Sequence, residues 1–228
     1  MEKSKYWITF WKTNAIINKA GAHEKIGRTI NGIAIDEGKW QEVLNDLELK
    51  LKLSPTDTLL DIGAGSGVIS IPFSKKVKQV VALDVSPALL SEMKGTPAVK
   101  TVEADARTID FEAESFDKIV IYFAIQHFTE EETIALLQKA FKWLRPGGIL
   151  YIGDIPDSHH TFTFFNTPAR RTAYFTSLEN NTPIIGTWFH RDFFTHLKEY
   201  LGFNKCEVID QPKSFINAHY RFDVRFLK

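Results

Sequence analysis

The stretch TLLDIGAGSGVIS, residues 58–70, decides the fold. It joins an apolar run to three alternating glycines, Gly63, Gly65 and Gly67, and then to helix-forming residues. The apolar run predicts a buried strand. The glycines predict a loop whose backbone a ligand can approach closely, and the start of the next helix offers unpaired N–H groups and a positive dipole end. The stretch therefore indicates a nucleotide-holding turn between a strand and a helix.

Outward from this turn, short apolar runs alternate with helical stretches. The predicted strands are 58–62, 79–84, 99–104, 117–123 and 148–154, and the clearest helices between them are 66–76 and 130–144. Near-continuous apolar strands separated by helices are typical of a parallel sheet covered on both faces. Further on, 190–202 predicts a helix ended by Gly202, 203–210 a strand, and YRFDVRFLK, 220–228, an alternating antiparallel strand.

Three zones organise the chain. Residues 1–53 predict an N-terminal helical cap, and residues 54–228 predict the sheet domain, with 156–189 as an insertion that binds a second substrate. The first helix carries Trp7, Phe10, Trp11 and Ile17 near one side. We expect it to pack against the domain; an interfacial membrane helix is the alternative.

Three aspartates end or flank the first three strands. Asp61 precedes the glycines, Asp84 ends the next strand 21 residues after Gly63, and Asp105 follows the third. In a dinucleotide-binding loop the third glycine would stand where this chain has Val68. A carboxylate at the position of Asp61 would repel a pyrophosphate but attract a cationic ligand. The pattern therefore favours a ligand with an ammonium and a sulfonium over a dinucleotide.

Five segments in this order resemble the motifs of class I S-adenosylmethionine-dependent methyltransferases. They are LLDIGAGSG (59–67), VVALDVS (80–86), VEADA (102–106), FDKIVIYFAIQHF (116–128) and LRPGGILYIGD (144–154). The resemblance implies a Rossmann-like α/β fold with a seven-stranded, mostly parallel sheet whose last strand is antiparallel. It also implies S-adenosyl-L-methionine as the cofactor.

The resemblance further implies where the cofactor lies. The glycines would wrap its methionine part, Asp61 would organise the loop and the amino group, Asp84 would bind the ribose, and Asp105 with the Ala106 N–H would read the adenine. The full set of expected cofactor-binding residues is Trp40, Asp61, Gly63, Ala64, Gly65, Gly67, Asp84, Val85, Asp105, Ala106 and Tyr122. Taken alone, Asp84 and Ser86 have a second interpretation as helix N-caps.

His127 is the expected catalytic base, because an imidazole titrates near neutral pH and the resemblance puts it beside the cofactor. Its alternative is a residue that only lines the pocket. Asp154, His159 and His160 are further candidates. We expect no metal site, because adjacent histidines in a strand point to opposite faces and no carboxylates stand at a suitable spacing.

The insertion is the expected acceptor wall. Its aromatic residues would either stack on a sugar or an aromatic ring, or build a small extra core; they are Phe162, Phe164, Phe165, Tyr174, Trp188 and Phe189. Arg170 and Arg171 are candidates to pair with a phosphate or carboxylate. Arg28 and Trp40 are candidate pocket residues on the opposite side.

Composition narrows the function. The 228 residues carry 28 Lys and Arg against 28 Asp and Glu, which argues against a nucleic-acid partner. The single Cys206 excludes a disulfide within the chain, no run is long enough to span a bilayer, and we expect a cytoplasmic protein. The Asn/Asp-Pro-Pro signature of amide- and adenine-methylating relatives is absent.

We expect methylation of a small-molecule or saccharide-linked acceptor at oxygen or nitrogen. The alternatives are a nicotinamide-dependent oxidoreductase and a non-catalytic cofactor-binding relative, and the oligomeric state stays open.

Overall fold

A seven-stranded sheet forms the centre of the structure, a computed structural model that describes residues 3–17, 21–27, 29–30 and 33–228. Along this part of the chain the strands are β1 (Thr29–Ile30), β2 (Ile33–Ala34), β3 (Thr58–Ile62), β4 (Gln79–Asp84), β5 (Val99–Glu103), β6 (Phe116–Tyr122), β7 (Leu144–Pro156), β8 (Lys205–Asp210) and β9 (Arg221–Leu227). The first two pair with each other as a small antiparallel hairpin. The other seven build the central sheet.

The order of the central strands is β5-β4-β3-β6-β7-β9-β8. The first five in this order run parallel, whereas β9 is antiparallel to both β7 and β8. This confirms the predicted mostly parallel sheet with an antiparallel last strand. The chain order reverses at β3, where β4 lies on one side and β6 on the other, and open α/β sheets bind their ligands outside the carboxyl ends of the strands at such a point.

Helices cover both faces of the sheet. They are α1 (Lys3–Ile17), α2 (Ala22–Lys25), α3 (Glu37–Leu51), α4 (Ser70–Phe73), α5 (Pro87–Leu90), α6 (Glu130–Trp143), α7 (Thr161–Phe164), α8 (Pro168–Glu179) and α9 (Arg191–Leu201). Side chains alternate along each strand, so Leu59 packs with α3 and α4 while Leu60 packs with α6 and α9. Apolar clusters therefore cover both faces of the sheet, and this is why successive residues of each strand are apolar.

The helix expected over 66–76 is much shorter in the structure, and Pro72 supplies the reason. Proline has no backbone N–H, so it cannot bond the carbonyl of Val68 four residues earlier. The indole N–H of Trp40 donates to that carbonyl instead, at 3.1 Å. This contact ties α3 to the glycine turn.

The N-terminal region has two roles in the structure. Helix α3 covers the sheet, with Leu47 and Leu51 fully buried against it. Helix α1 lies at the carboxyl edge, where Trp7 is buried and Phe10 is partly exposed. The burial of Trp7 supports the packing interpretation of this helix. Arg28 lies outside the described residues.

The insertion is more regular than its sequence indicates, because it holds the twelve-residue helix α8. Thr167 accepts a hydrogen bond from the Arg170 N–H as the N-cap, and Pro168 follows at the first helical position. This Thr-Pro pair is a local helix-start signal. The apolar side chains of α8, Phe175 and Leu178, are about half exposed, so the helix shows little periodic burial.

Candidate functional site

A large cavity opens at the carboxyl ends of β3, β4 and β6. It encloses about 890 Å³ of empty space, counting its open mouth, and we name it the first chamber. Its walls contain the expected base His127 and every expected cofactor-binding residue except Gly67, namely Trp40, Asp61, Gly63, Ala64, Gly65, Asp84, Val85, Asp105, Ala106 and Tyr122. Residues spread over almost ninety positions of sequence thus converge on a single cavity of ligand size.

Gly67 differs from the other two glycines of the loop. It does not line the first chamber, and its φ of +82° favours glycine. A Cβ at this position would collide with the side chain of Met93. Gly67 is therefore explained by backbone conformation and by packing against Met93.

Asp61 sits at the base of the first chamber with almost no solvent exposure. The hydroxyl of Ser70 donates to its carboxylate at 2.6 Å. Burial, aided by the nearby charge of Asp84 and opposed by the Ser70 hydrogen bond, raises the pKa of Asp61 to about 7. A buried carboxylate of this kind would be stabilised in its charged form by a bound cation.

Asp84 locks the glycine loop. Its two carboxylate oxygens accept hydrogen bonds from the backbone N–H groups of Gly65, at 2.8 Å, and Ser86, at 2.9 Å. Burial raises the pKa of Asp84 above its ordinary value. Ser86 is the N-cap of α5 and accepts from the Leu89 N–H. The N-cap interpretation therefore holds for Ser86 but not for Asp84, which instead binds two backbone N–H groups and faces the first chamber.

Asp105 is bound by a residue that sequence reasoning missed. Its carboxylate accepts from the backbone N–H of Arg107 at 2.9 Å and from the Arg107 guanidinium at 3.1 Å. The same guanidinium donates to Glu132 at 2.8 Å and to the backbone carbonyl of His127 at 2.7 Å. Arg107 thus connects the turn after β5 to the segment that carries His127. The two-residue spacing from Asp105 was the only local signal for it.

Lys139 of α6 also binds the turn after β5 that contains Asp105. Its ammonium donates to the carbonyls of Ala106, Arg107 and Ile109 at 2.7, 3.0 and 2.9 Å. Three carbonyls around one ammonium fix the turn that presents Asp105 to the first chamber. This contact joins residues about thirty positions apart, so no local pattern indicates it.

His127 has surroundings that its sequence context does not predict. Its ring lies 4.2 Å from the ring of Trp7 and 5.5 Å from that of Trp11, between centroids. Both ring nitrogens are shielded from solvent and have no hydrogen-bond partner among the described residues. Burial, together with the smaller effects of the Arg221 and Arg107 charges, lowers the pKa of His127 to about 3. The premise that His127 titrates near neutral pH therefore needs correction, because the imidazole stays neutral there.

A second cavity lies on the other side of His127. It encloses about 500 Å³ of empty space, and we name it the second chamber. Trp7, His127 and Phe128 line both chambers and form the partition between them. The opposite wall comes from the insertion, through residues between 177 and 187.

The insertion is joined to the His127 segment by backbone contacts. The Thr187 N–H donates to the carbonyl of Gln126 at 2.8 Å, and the Thr187 hydroxyl donates to the carbonyl of Phe128 at 2.7 Å. Gly186 has a φ of +116°, and a Cβ there would collide with the Gln126 carbonyl. The wall of the second chamber is therefore held against His127 at close range.

The aromatic residues of the insertion pack with one another and line neither chamber. Phe165 lies 4.5 Å from Tyr174 and 6.0 Å from Trp188 between ring centroids, and Phe189 is fully buried. Arg170 donates to the carbonyl of Phe164. The geometry thus favours the small extra core over a stacking platform for these side chains.

Asp154, His159 and His160 lie outside both chambers. The carboxylate of Asp154 accepts from the side-chain amides of Gln211 and Asn217. Contrary to the strand-based argument, His159 and His160 belong to a short 3₁₀ turn, and both rings approach Asp157, at 3.4 and 4.0 Å. Even so, no group of three or more His, Cys, Asp or Glu side chains within the described ranges is arranged to hold a metal ion.

Comparisons with known proteins show similarity to methyltransferases. A sequence profile of the methyltransferase domain matches residues 59–148. The chain is 31% identical over 134 residues to a carboxy-S-adenosyl-L-methionine synthase of Vibrio campbellii, a match that covers 48% of this chain and 54% of that protein. It is 32% identical over 130 residues to a demethylmenaquinone methyltransferase of Renibacterium salmoninarum, covering 57% of this chain and 52% of that protein. The chain thus spans about half the length of the curated relatives it matches.

The fold also matches solved structures. A magnesium protoporphyrin IX methyltransferase from Synechocystis PCC 6803 with bound S-adenosylhomocysteine superimposes with a TM-score of 0.66 at 12% identity, covering 100% of both chains. Within the described residues, no helix has the length and apolarity that crossing a membrane requires. The profile match, the sequence relatives and the strand order together show that residues 59–148 carry a methyltransferase domain of the class I S-adenosylmethionine-dependent type, a family that uses S-adenosyl-L-methionine.

Proposed function

We propose that this protein transfers the methyl group of S-adenosylmethionine to an oxygen or nitrogen of a small-molecule acceptor, a class that includes the hydroxyl groups of a saccharide. The observation that carries the proposal is Asp61, a buried carboxylate with a raised pKa at the base of the glycine loop. An ammonium in the first chamber would stabilise its charge, whereas the pyrophosphate of a nicotinamide dinucleotide would be repelled. The family match likewise supports S-adenosylmethionine over the nicotinamide alternative.

We assign the cofactor contacts to the residues that converge on the first chamber. Asp61 and the backbone at Gly63, Ala64 and Gly65 face the methionine part, with Gly67 acting through the packing of the loop. Asp84 keeps lone pairs for the ribose hydroxyls beside its two N–H partners.

The remaining contacts would hold the rest of the cofactor. Asp105 and the Ala106 N–H face the adenine, with Arg107 and Lys139 fixing their turn. Val85, Tyr122 and Trp40 supply apolar walls. Bound in this way, the cofactor supplies an activated methyl group, and the protein has to orient the acceptor.

His127 would orient the acceptor. A neutral imidazole has one nitrogen that accepts a hydrogen bond and one that donates, and neither is used within the described residues. An O–H or N–H of the acceptor would donate to it. As the new bond to the methyl carbon forms, the attacking atom becomes far more acidic, so that even a weak base such as His127 can take its proton and pass it to solvent.

The relatives named as carboxy-S-adenosyl-L-methionine synthases give a second candidate function, formation of a carboxylated cofactor. A carboxylate in the first chamber would need a cationic partner. Arg107 is the cationic side chain among the described lining residues, and it is already paired with Asp105 and Glu132. This pairing favours methyl transfer.

Calorimetry and product analysis test the proposal. S-Adenosylmethionine and S-adenosylhomocysteine should bind with micromolar or better affinity, and NAD should not bind. Incubation with S-adenosylmethionine and a panel of hydroxyl and amine acceptors, followed by mass spectrometry, should give S-adenosylhomocysteine and a product heavier by one methyl group. NAD binding without S-adenosylmethionine binding would overturn the proposal. Detection of a carboxylated cofactor would support the second candidate function instead. Cofactor binding without turnover would favour a non-catalytic relative.

We also propose a cytoplasmic location, which the single Cys206 allows.

A further inference from the structure

The two chambers differ sharply in charge. The first is lined by Asp61, Asp84, Asp105 and Arg107. The second has no Asp, Glu, Lys or Arg among its lining residues, as far as the described chain shows. Arg221 does not line this chamber, although its guanidinium donates to the side-chain oxygen of Gln126, which does. The nearby carboxylate of Asp154 offsets the positive charge of Arg221. A charged molecule in the second chamber would therefore find no counter-ion on the described walls.

The second chamber does offer neutral hydrogen-bonding groups. The imidazole of His127 lines the partition; both of its nitrogens lack a partner among the described residues but are shielded from solvent in the free protein, so an acceptor would have to displace a neighbouring side chain to reach them. Ser177 and Thr187 donate their hydroxyl protons to backbone carbonyls, at 2.7 Å each, and so turn their lone pairs toward other partners. The amide of Asn181 adds a donor and an acceptor, and Leu178 adds apolar surface.

The position of this chamber links it to the reaction. The partition of Trp7, His127 and Phe128 is shared with the first chamber, and Thr187 fixes the opposite wall to the carbonyls on either side of His127. A molecule held in the second chamber thus lies next to the site proposed for the cofactor. We infer that the second chamber is the acceptor site and that it selects an uncharged, hydrogen-bonding small molecule, an inference that rests on the proposed function. Burying an unpaired charge there would cost more than its contacts return.

Ligand-observed NMR tests the inference on the full chain saturated with S-adenosylhomocysteine. The probes are 4-hydroxybenzamide, 4-hydroxybenzoate and 4-hydroxybenzylamine, together with the aliphatic series glycerol, glycerate and serinol, so that each scaffold appears in neutral, anionic and cationic form. We expect saturation transfer to a neutral member of at least one series and at least tenfold weaker binding of its charged counterparts.

Two variants locate the binding. Leu178→Trp should fill the second chamber and weaken the neutral probe at least tenfold, while leaving the affinity for S-adenosylhomocysteine within about twofold. Leu49→Trp is the matched control, because Leu49 is 74% exposed on α3 and lines neither chamber. Asn181→Asp, at an exposed position, should raise the affinity of the cationic probe at least fivefold and lower that of the anionic one.

The outcomes separate the two proposals. If S-adenosylhomocysteine does not bind, the proposed function fails before the acceptor site is tested. If it binds, the inference is overturned by a charged probe that outcompetes its neutral counterpart, by probe binding that Leu178→Trp leaves intact, or by the failure of every probe to bind.

Discussion

The indole of Trp7 lies against the imidazole of His127, with ring centroids 4.2 Å apart. The contact joins the first helix to the segment after β6 and forms part of the wall that the two chambers share. It also excludes water from the ring of His127, which is the main reason that the pKa of this imidazole falls to about 3. His127 is thereby kept neutral in the free protein.

His127→Ala should lower kcat at least tenfold and change the dissociation constant of S-adenosylhomocysteine only a few-fold. Because the pKa of His127 is far below neutrality, kcat at saturating cofactor should show no limb from this group between pH 6 and 8. Steady-state kinetics across pH check both statements. A tenfold fall per pH unit below about 6.5 that disappears in the variant would contradict the neutral role.

Asp61 should make cofactor binding depend on pH. Its pKa of about 7 in the free protein means that half of the sites are protonated at that pH, and a cationic amino group binds the ionised form. Affinity for S-adenosylhomocysteine should therefore rise between pH 5.5 and 7.5 and level off above. Asp61→Asn should weaken binding about tenfold or more at pH 7.5 and remove the slope. Calorimetry in matched buffers provides the measurement.

Asp61 should also make the stability of the free protein depend on pH. A carboxyl whose folded pKa is raised above 3.8 stabilises the fold fully at low pH, and this contribution is lost as the pH rises through about 7. The midpoint of thermal unfolding should thus fall less steeply from pH 5 to 8 in Asp61→Asn than in the wild type. Identical slopes in the two proteins would contradict the raised pKa.

Asp84→Ala should weaken S-adenosylhomocysteine binding by about 2–3 kcal/mol, roughly 30- to 150-fold, because the carboxylate proposed to bind the ribose is lost and two backbone N–H groups lose their acceptor. Asp84→Asn keeps one acceptor oxygen and should show a smaller effect. Asp192→Ala is the control, an exposed carboxylate that lines neither chamber. Calorimetry should find that Asp192→Ala binds S-adenosylhomocysteine with unchanged affinity. Unchanged affinity in Asp84→Ala would refute the ribose assignment.

Arg107→Lys should reduce both cofactor affinity and turnover, about tenfold each, although the charge is conserved. A single ammonium cannot reproduce the contacts of the guanidinium with Asp105, Glu132 and the His127 carbonyl. Arg145→Lys offers a matched control, since Arg145 is exposed and pairs with Asp117 outside both chambers. Equal effects in the two variants would remove the special role of Arg107.

Gly186→Ala should act on the acceptor side only. The added Cβ would push the insertion away from the Gln126 carbonyl, so the KM for the acceptor should rise while cofactor affinity stays the same. The strain should also lower stability by about 1–3 kcal/mol. Gly147→Ala carries similar backbone strain, with a φ of +77°, but meets no atom within 4 Å. A KM that rises equally in both variants would argue against the clash at Gly186.

Much of the fold followed from local patterns in the sequence. Apolar runs such as 58–62 and the helical spacing of 130–144 act over a few residues, and a parallel sheet brings the ends of such strands to one edge. That topology alone implied that Asp61, Asp84 and Asp105 converge, as the first chamber shows. The Thr167-Pro168 pair is a local signal for the start of α8. Because few side chains of this helix are buried, its sequence has no periodic apolar pattern that would support a helix prediction.

Tertiary structure decided what depends on contacts between distant parts of the chain. The pKa of His127 depends on Trp7, 120 positions earlier, and on Arg107 and Arg221. The far wall of the second chamber is tied to the His127 segment by Thr187, which bonds the carbonyls of Gln126 and Phe128. Burial and neighbouring charge are properties of packed side chains, whereas strand and turn signals are properties of consecutive residues. The sequence by itself therefore determined the sheet edge at which the proposed cofactor site lies, and only the packed structure determined the environment proposed for the acceptor.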